Sequence, residues 1–108
     1  MNILEFDQQE FEEALEIGRS NLEESGETME EYMDMSFKSL IFLGRNVKEK
    51  PELFDVAVFN IRLCYTYYKE REDYLKLAQI TSLVKDLEKE SKKIVDEFII
   101  NEISVNLN

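Results

Sequence analysis

Carboxylates are the most abundant groups in this chain that could take part in chemistry. The 108 residues include 24 Asp and Glu side chains and no histidine. Helical di-iron sites need a Glu-x-x-His pair, so that class of metal site is excluded. Carboxylate pairs can still transfer protons, but spacing does not select one pair among so many acids. A minor alternative is a loose Mg²⁺ or Ca²⁺ site on Glu27, Glu30, Glu31 and Asp34.

Nucleophiles and phosphate-binding loops are equally poor candidates. Cys64 is the only cysteine, has no histidine partner and lies among apolar residues at helical spacing, so we predict a buried, inert thiol. No internal disulfide can form. No two glycines lie within seven residues of each other, which excludes a Gly-rich phosphate loop. We therefore predict no catalytic residue, no metal site and no cofactor, and expect that the protein is not an enzyme.

The distribution of charge is the most informative feature of the sequence. Residues 1–36 contain twelve acids and a single base, Arg19, whereas residues 37–108 contain twelve of each. The net charge of −11 therefore belongs to the first third of the chain. Such a surface argues against direct binding to nucleic acids or to anionic membranes, which recognise basic proteins.

Seven of these acids are spaced so that they form stripes on two predicted helices. Acids about one turn apart on a rigid helix are about 5 to 6 Å from each other. Such a row could replace a nucleic-acid backbone in the binding cleft of a basic protein. We therefore predict that these residues bind a basic protein partner: Glu12, Glu16, Glu23, Glu27, Glu30, Glu31 and Asp34. The competing interpretation is a solvated face that only maintains solubility.

Capping residues and apolar spacing define the first two helices. Asp7 with Glu10 and Thr28 with Glu31 are typical of capping boxes. Gly26 is expected to end the first helix and Gly44 to cap the second. The predicted inward residues of the first helix are Phe11, Ala14, Leu15, Gly18 and Leu22, and those of the second are Met29, Met33, Phe37, Leu40 and Ile41.

A basic linker, residues 45–50, leads to Pro51, which suits the first turn of a third helix. The apolar arc of that helix is wide, so we expect it to be the most buried: Phe54, Ala57, Val58, Ile61, Cys64, Tyr65 and Tyr68. The apolar seam then shifts by two positions, which predicts a turn at residues 69–73. The fourth helix, about 73–99, has the seam Leu77, Ile80, Val84, Leu87, Ser91, Ile94 and Phe98.

These elements predict an all-α fold, a single four-helix bundle-like domain with short connections and the last helix longest. The one domain spans 1–108: an acidic helical pair at 1–43, charge-balanced helices at 51–100 and a tail at 101–108. Alternating residues in the tail suit a short strand, although a frayed end is the simpler expectation. No apolar run reaches the roughly 18 to 20 residues of a membrane span, and residues 1–7 do not resemble a signal peptide. We expect a cytoplasmic protein.

The favoured function is a small regulatory or inhibitory interaction protein whose acidic helices bind a basic protein, with nucleic-acid mimicry as one form. The alternative is a helical adaptor or chaperone-like subunit. It would bind through an apolar surface of tyrosines and methionines, or form a homodimer through its last helix. The residues of that apolar surface would be Tyr65, Tyr67, Tyr68 and Tyr74 with Met29, Met33 and Met35.

Overall fold

The computed structural model describes the backbone of residues 2–107 and the side chains of residues 2–90 and 92. Its four α-helices are α1 (Gln8–Ser25), α2 (Met29–Asn46), α3 (Phe54–Glu70) and α4 (Tyr74–Leu107), and a short 3-10 turn, Pro51–Leu53, precedes α3. The backbone of residues 2–107 contains no strand. The predicted all-α bundle with the last helix longest is confirmed: α4 has 34 residues. The predicted end near residue 99 and the short strand in the tail were wrong, since α4 continues to Leu107.

The predicted caps form at the start of both acidic helices. The Asp7 side chain accepts a hydrogen bond from the Gln9 backbone N–H at 3.1 Å, and Thr28 Oγ1 accepts one from the Glu31 N–H at 3.1 Å. Gly26 ends α1 with φ +82°, a backbone conformation that side chains disfavour. The turn between α1 and α2 is therefore short and its geometry is defined by local residues.

Helix α3 is the centre of the bundle. It packs against α1, α2 and α4, and Ala57, Ile61 and Cys64 on it are fully buried. Among the side chains that the structure describes, α3 is the most buried helix, as predicted, and Leu63, Thr66 and Tyr67 outside the predicted arc are buried too.

The inward residues of the other helices follow the predicted periodicity, with one exception. Ile41, assigned to the inner face of α2, is 40% exposed. In α4 the seam is buried at Ile80, Val84 and Leu87. The side chains of Ser91, Ile94 and Phe98 in the predicted seam lie outside the described residues. Among the described residues, no helix combines the length and the hydropathy that a bilayer crossing requires.

The segment before α1 is part of the core, which the sequence pattern did not indicate. Ile3 is fully buried. Its backbone N–H donates to Glu88 Oε1 on α4 at 3.1 Å, and its carbonyl accepts from Arg62 Nε on α3 at 2.9 Å. The Arg62 guanidinium also lies 5.6 Å from the centroid of the Phe6 ring. These contacts join the N-terminal segment to α3 and α4.

Gly44 was predicted to cap α2, and that prediction was wrong. The helix continues to Asn46, and Gly44 lies within its last turns. A Cβ atom there would lie 3.3 Å from Leu83 Cγ and would collide with Leu83 Cδ1. Gly44 thus allows α4 to approach α2 closely, a packing role that local sequence cannot reveal.

Alanine substitutions at two helical glycines should have opposite effects. Gly18 in α1 has only Met29 Cε, at 3.8 Å, near its potential Cβ, so Gly18→Ala should raise the free energy of unfolding by roughly 0.5–1 kcal/mol. Gly44→Ala should lower it by about 1 kcal/mol, because overpacking against Leu83 outweighs the better helix propensity. Urea denaturation measures both. Equal stabilisation by the two substitutions would contradict the close packing of α2 on α4.

Candidate functional site

The seven acids predicted to bind a partner lie at the surface of α1 and α2. Six are exposed, and Asp34 is partly buried. Glu16 pairs with Arg19 at 3.4 Å and Asp34 with Lys38 at 3.2 Å, both in solvent. Within the described part of the chain, the other five acids have no cation within 4.0 Å. Their charge is thus largely uncompensated at close range.

Two of the acids line a groove, here called the α1 groove, between α1 and the end of α3. Its volume is ≈ 890 Å³. Glu12 and Glu16 form part of one wall, and Tyr67 and Arg71 form part of the other. The described residues that line it are Gln9, Glu12, Glu13, Leu15, Glu16, Ile17, Arg19, Met29, Tyr67, Glu70 and Arg71. Among these residues are four acids, two bases and the apolar side chains of Leu15, Ile17 and Met29.

Three further acids line a second groove, the α2 groove, between α2 and the turn that joins α3 to α4. Its volume is ≈ 810 Å³. The lining among the described residues is Glu30, Glu31, Asp34, Tyr67, Tyr68, Arg71, Glu72, Asp73, Tyr74 and Lys76. Five acids face two bases here, and Lys76 is already paired with Asp73 at 3.8 Å. Glu23 and Glu27 line neither groove.

Tyr67 and Arg71 belong to both grooves, and the sequence analysis missed Arg71 as a site residue. The Arg71 guanidinium carbon lies 4.5 Å from the centroid of the Tyr67 ring, which is cation–π distance. Arg71 follows Tyr67 by four residues, so helical spacing places it over that ring. The two residues form a wall between the grooves.

The Tyr67 hydroxyl is a buried polar atom whose nearest polar partner is the Arg71 side chain, and the contact between them falls short of ideal hydrogen-bond geometry. The side chain is only 5% exposed. Burial raises the pKa of the phenol, and the Glu30 carboxylate adds to that rise, whereas the Arg71 cation and a hydrogen bond with its side chain oppose it.

The turn between α3 and α4 contributes to the α2 groove and confirms the turn predicted at residues 69–73. The Asp73 N–H donates to the Tyr68 carbonyl at 3.0 Å, and the Glu72 N–H to the Lys69 carbonyl at 3.2 Å. This is a Schellman motif, whose left-handed position is normally glycine. Here it is Glu72, with φ +55°. A side chain in this conformation is unfavourable, and it adds a carboxylate to the groove.

The apolar surface of tyrosines and methionines does not form as predicted. Tyr67, Tyr68 and Met33 are buried, so they belong to the core. Tyr74 and Met35 are exposed, at 70% and 67%. Periodicity could not separate these cases because residues 61–68 of α3 are buried or partly buried on every side. Tyr65 and Met29 are partly buried, so the two predicted sets are divided between the core and the surface.

The metal-binding and thiol groups considered from the sequence can be located among the described residues. No three carboxylate or thiol side chains there are grouped so that they could hold a metal ion. Glu27, Glu30, Glu31 and Asp34, the acids of the proposed loose Mg²⁺ or Ca²⁺ site, do not form such a group. Cys64 is fully buried, as expected, and burial raises the pKa of its thiol to about 12. At neutral pH the nucleophilic thiolate is therefore not populated.

Comparison of the chain with models of protein families, with curated proteins and with solved structures finds no match. Functional inference therefore depends on the grooves and their charge.

Removing the Tyr67 hydroxyl should stabilise the protein. Tyr67→Phe keeps the ring and deletes a buried oxygen whose contact with Arg71 falls short of ideal hydrogen-bond geometry, so the free energy of unfolding should rise by about 1 kcal/mol. Tyr74→Phe is the matched control, because that residue is 70% exposed and should change stability by less than about 0.5 kcal/mol. Urea denaturation compares the two. A less stable Tyr67→Phe protein would mean that the contact with Arg71 stabilises the fold.

Alkaline pH should destabilise the bundle through Cys64. The ordinary pKa of 9.0 applies to the unfolded chain, whereas the folded thiol has a pKa of about 12. Above pH 9.0 the unfolded state loses the proton first, so it binds fewer protons and stability falls as pH rises. The thiol alone should lower the free energy of unfolding by about 1.4 kcal/mol between about pH 8 and pH 10.

Cys64→Ala is the control for this alkaline effect. It should reduce the dependence of stability on pH in that interval, although the substitution itself lowers stability at all pH values. The same pH dependence in Cys64→Ala and wild type would show that the thiol does not contribute.

Proposed function

We propose that the protein is a non-enzymatic regulatory or inhibitory interaction protein whose acidic helices α1 and α2 bind a basic protein surface. The observation that supports this most directly is the surplus of exposed carboxylates on one part of the bundle. Residues 1–36 contain a single base, and five of the seven acids at the site have no nearby cation among the described residues. Because the lone cysteine makes no disulfide, we place this activity in a reducing cytoplasm.

Folding alone does not require so much negative charge on α1 and α2. Like charges three or four residues apart cost a few tenths of a kcal/mol per pair. Glu30 and Glu31 recover part of that cost because they lie in the first turn of α2, near the positive end of its dipole. Glu16 and Glu23 lie later in α1 and recover none. Repulsion that a folded protein retains is relieved when a basic surface docks on it.

Nucleic-acid mimicry is the form of this function that the charge spacing favours. Carboxylates at about 5 to 6 Å intervals along rigid helices can replace phosphates in a cleft lined by Lys and Arg. Such a complex would be driven largely by ionic attraction. Its affinity should therefore fall steeply as salt is added, and association should be fast at low salt.

A second candidate is an adaptor that binds through exposed apolar residues of α2. Tyr32, Met35 and Phe42 are exposed at 41%, 67% and 66%, and their spacing places them on one outward face of the helix. Exposed apolar residues that share a face are typical of docking sites for other proteins. Homodimerisation through α4 is a related alternative, but the side chains at 93–107 lie outside the described residues.

Charge reversal should distinguish the two candidates. Glu27, Glu30, Glu31 and Asp34 are changed together to Lys, and the variant and wild type are used to capture partners from the native host. Under the proposed function, capture should be abolished by the variant and should weaken strongly for wild type between ~0.1 M and ~1 M salt. Mass spectrometry identifies the captured proteins, whose basic surfaces and nucleic-acid binding can then be examined.

The matched control reverses four exposed acids of the charge-balanced body: Glu49, Glu52, Asp55 and Asp86. It changes the net charge equally, and both sets include acids in the first turn of a helix. Capture should survive this control. If the acidic variant still binds and Met35→Asp with Phe42→Asp does not, the adaptor function replaces the proposed one.

A further inference from the structure

The outer face of α2 carries apolar side chains that the described part of the chain leaves uncovered. Met35 and Phe42 are 67% and 66% exposed, and Tyr32 beside them is 41% exposed. Met35 and Phe42 lie along one line of the helix, because seven residues are close to two turns. Their contact with water is unfavourable, so a partner that covered them would gain free energy. These three residues are here called the α2 stripe.

Opposite charges flank the α2 stripe at its two ends. Glu31 at one end is exposed and has no cation within 4.0 Å among the described residues. Arg45 at the other end is exposed and has no carboxylate within that distance in the same part of the chain. Between them, Lys38 is paired with Asp34 at 3.2 Å. A uniformly basic partner would therefore be attracted to one end of this face and repelled from the other.

The order of acid, apolar residues and base makes this face complementary to itself. In a dimer with two-fold symmetry, both copies use the same surface. When two α2 helices pack antiparallel about an axis between residues 38 and 39, Met35 of each copy faces Phe42 of the other. The same rotation brings Glu31 of each copy to Arg45 of the other, because both lie on one side of the stripe. In a parallel pair, Glu31 would face a second Glu31.

We propose that the outer face of α2 binds a second copy of this chain in an antiparallel, two-fold symmetric dimer. Met35 and Phe42 form its apolar centre, and a Glu31–Arg45 pair lies at each end. The stripe is about 15 Å long, and an interface of this size is small for a permanent dimer. The dimer therefore forms at high protein concentration. It goes beyond the proposed function, since only Glu31 among the seven acids of that surface faces the second copy.

Salt should strengthen this dimer, whereas it weakens the complex with a basic protein. Each copy has a net charge of −11, so two copies repel each other at low salt. At physiological ionic strength, charges more than about 8 Å apart are largely screened. The apolar centre does not depend on that screening, and exposed ion pairs contribute little. The two associations therefore respond to salt in opposite directions.

Sedimentation of the full chain tests the dimer. Between ~10 µM and ~1 mM protein, the average mass should rise from that of one copy towards that of two, as expected of a small interface. The dissociation constant should be about tenfold lower at ~0.5 M salt than at ~0.02 M salt, because the repulsion is screened.

A pair of double variants separates the α2 stripe from the general surface. Met35→Asp with Phe42→Asp should weaken the dimer at least tenfold, because it places charges in the apolar centre. Ile17→Asp with Leu75→Asp is the matched control. It adds the same charge in place of residues that are 66% and 73% exposed on other helices, and it should still dimerise. Circular dichroism checks that both variants keep their helices.

Exchanging the charges at the two ends tests the antiparallel arrangement. At ~0.5 M salt, where net charge matters little, Glu31→Arg and Arg45→Glu should each weaken the dimer about threefold. Combining them should restore the affinity of wild type. The two residues are about 21 Å apart along α2, so they cannot pair within one chain. Restoration can therefore come only from contact between copies.

The outcomes keep this inference separate from the proposed function. A chain that remains monomeric at ~1 mM at both salt concentrations would overturn the dimer and leave the face to a different protein, without affecting the acidic docking surface. Equal loss of association in both double variants would also overturn it, since charge alone would then be responsible. A charge exchange that stays as weak as its single substitutions would overturn the antiparallel arrangement.

Discussion

The burial of α3 is the constraint on which the rest of this structure depends. Helix α3 contacts each of the other three helices, and Ala57, Ile61 and Cys64 are completely withdrawn from solvent. A helix that is apolar around most of its circumference must be covered over most of its surface, and on α3 only the apolar residues Val56 and Phe59 are about half exposed. α1, α2 and α4 each therefore bury one face against α3 and turn the other outward. The outward faces of α1 and α2 carry the acids.

The same arrangement explains why both grooves meet at one end of the bundle. α3 ends at Glu70, where its last turns lie between the acidic helices. Tyr67 and Arg71, four residues apart, therefore face α1 on one side and α2 on the other. The bundle core provides the aromatic wall and the acidic helices provide the carboxylates. Neither part alone would make a site that combines apolar contact with charge.

Two local costs occur together at this end of the bundle. The Tyr67 hydroxyl is buried without a hydrogen bond of standard geometry, and Glu72 adopts a left-handed backbone where glycine would be less strained. Unfavourable local features persist when the surrounding structure enforces them, and they are concentrated at functional sites. Their position beside the exposed carboxylates is consistent with a surface adapted for binding as well as for stability.

Much of the fold was predictable because helices repeat every 3.6 residues. That periodicity identified buried residues on each helix, among them Phe11, Phe37 and Ile80, and the shift of the seam located the turn before α4. The caps at Asp7 and Thr28 were predictable for a different reason: a capping side chain accepts a hydrogen bond from a backbone N–H only two or three residues further along the chain. The exposure of the acidic stripes followed from the cost of burying charge.

Other features depend on residues distant in sequence, and only the tertiary structure decided them. Gly44 is needed because Leu83 packs against it, and Ile3 is buried because Arg62 and Glu88 hold its backbone. Local patterns contain no information about such partners. By itself, the sequence determined that the chain is helical and that its negative charge lies in the first third. The tertiary structure decided that five of the seven acids line two grooves with Tyr67 between them, because a groove forms only where separate helices pack together.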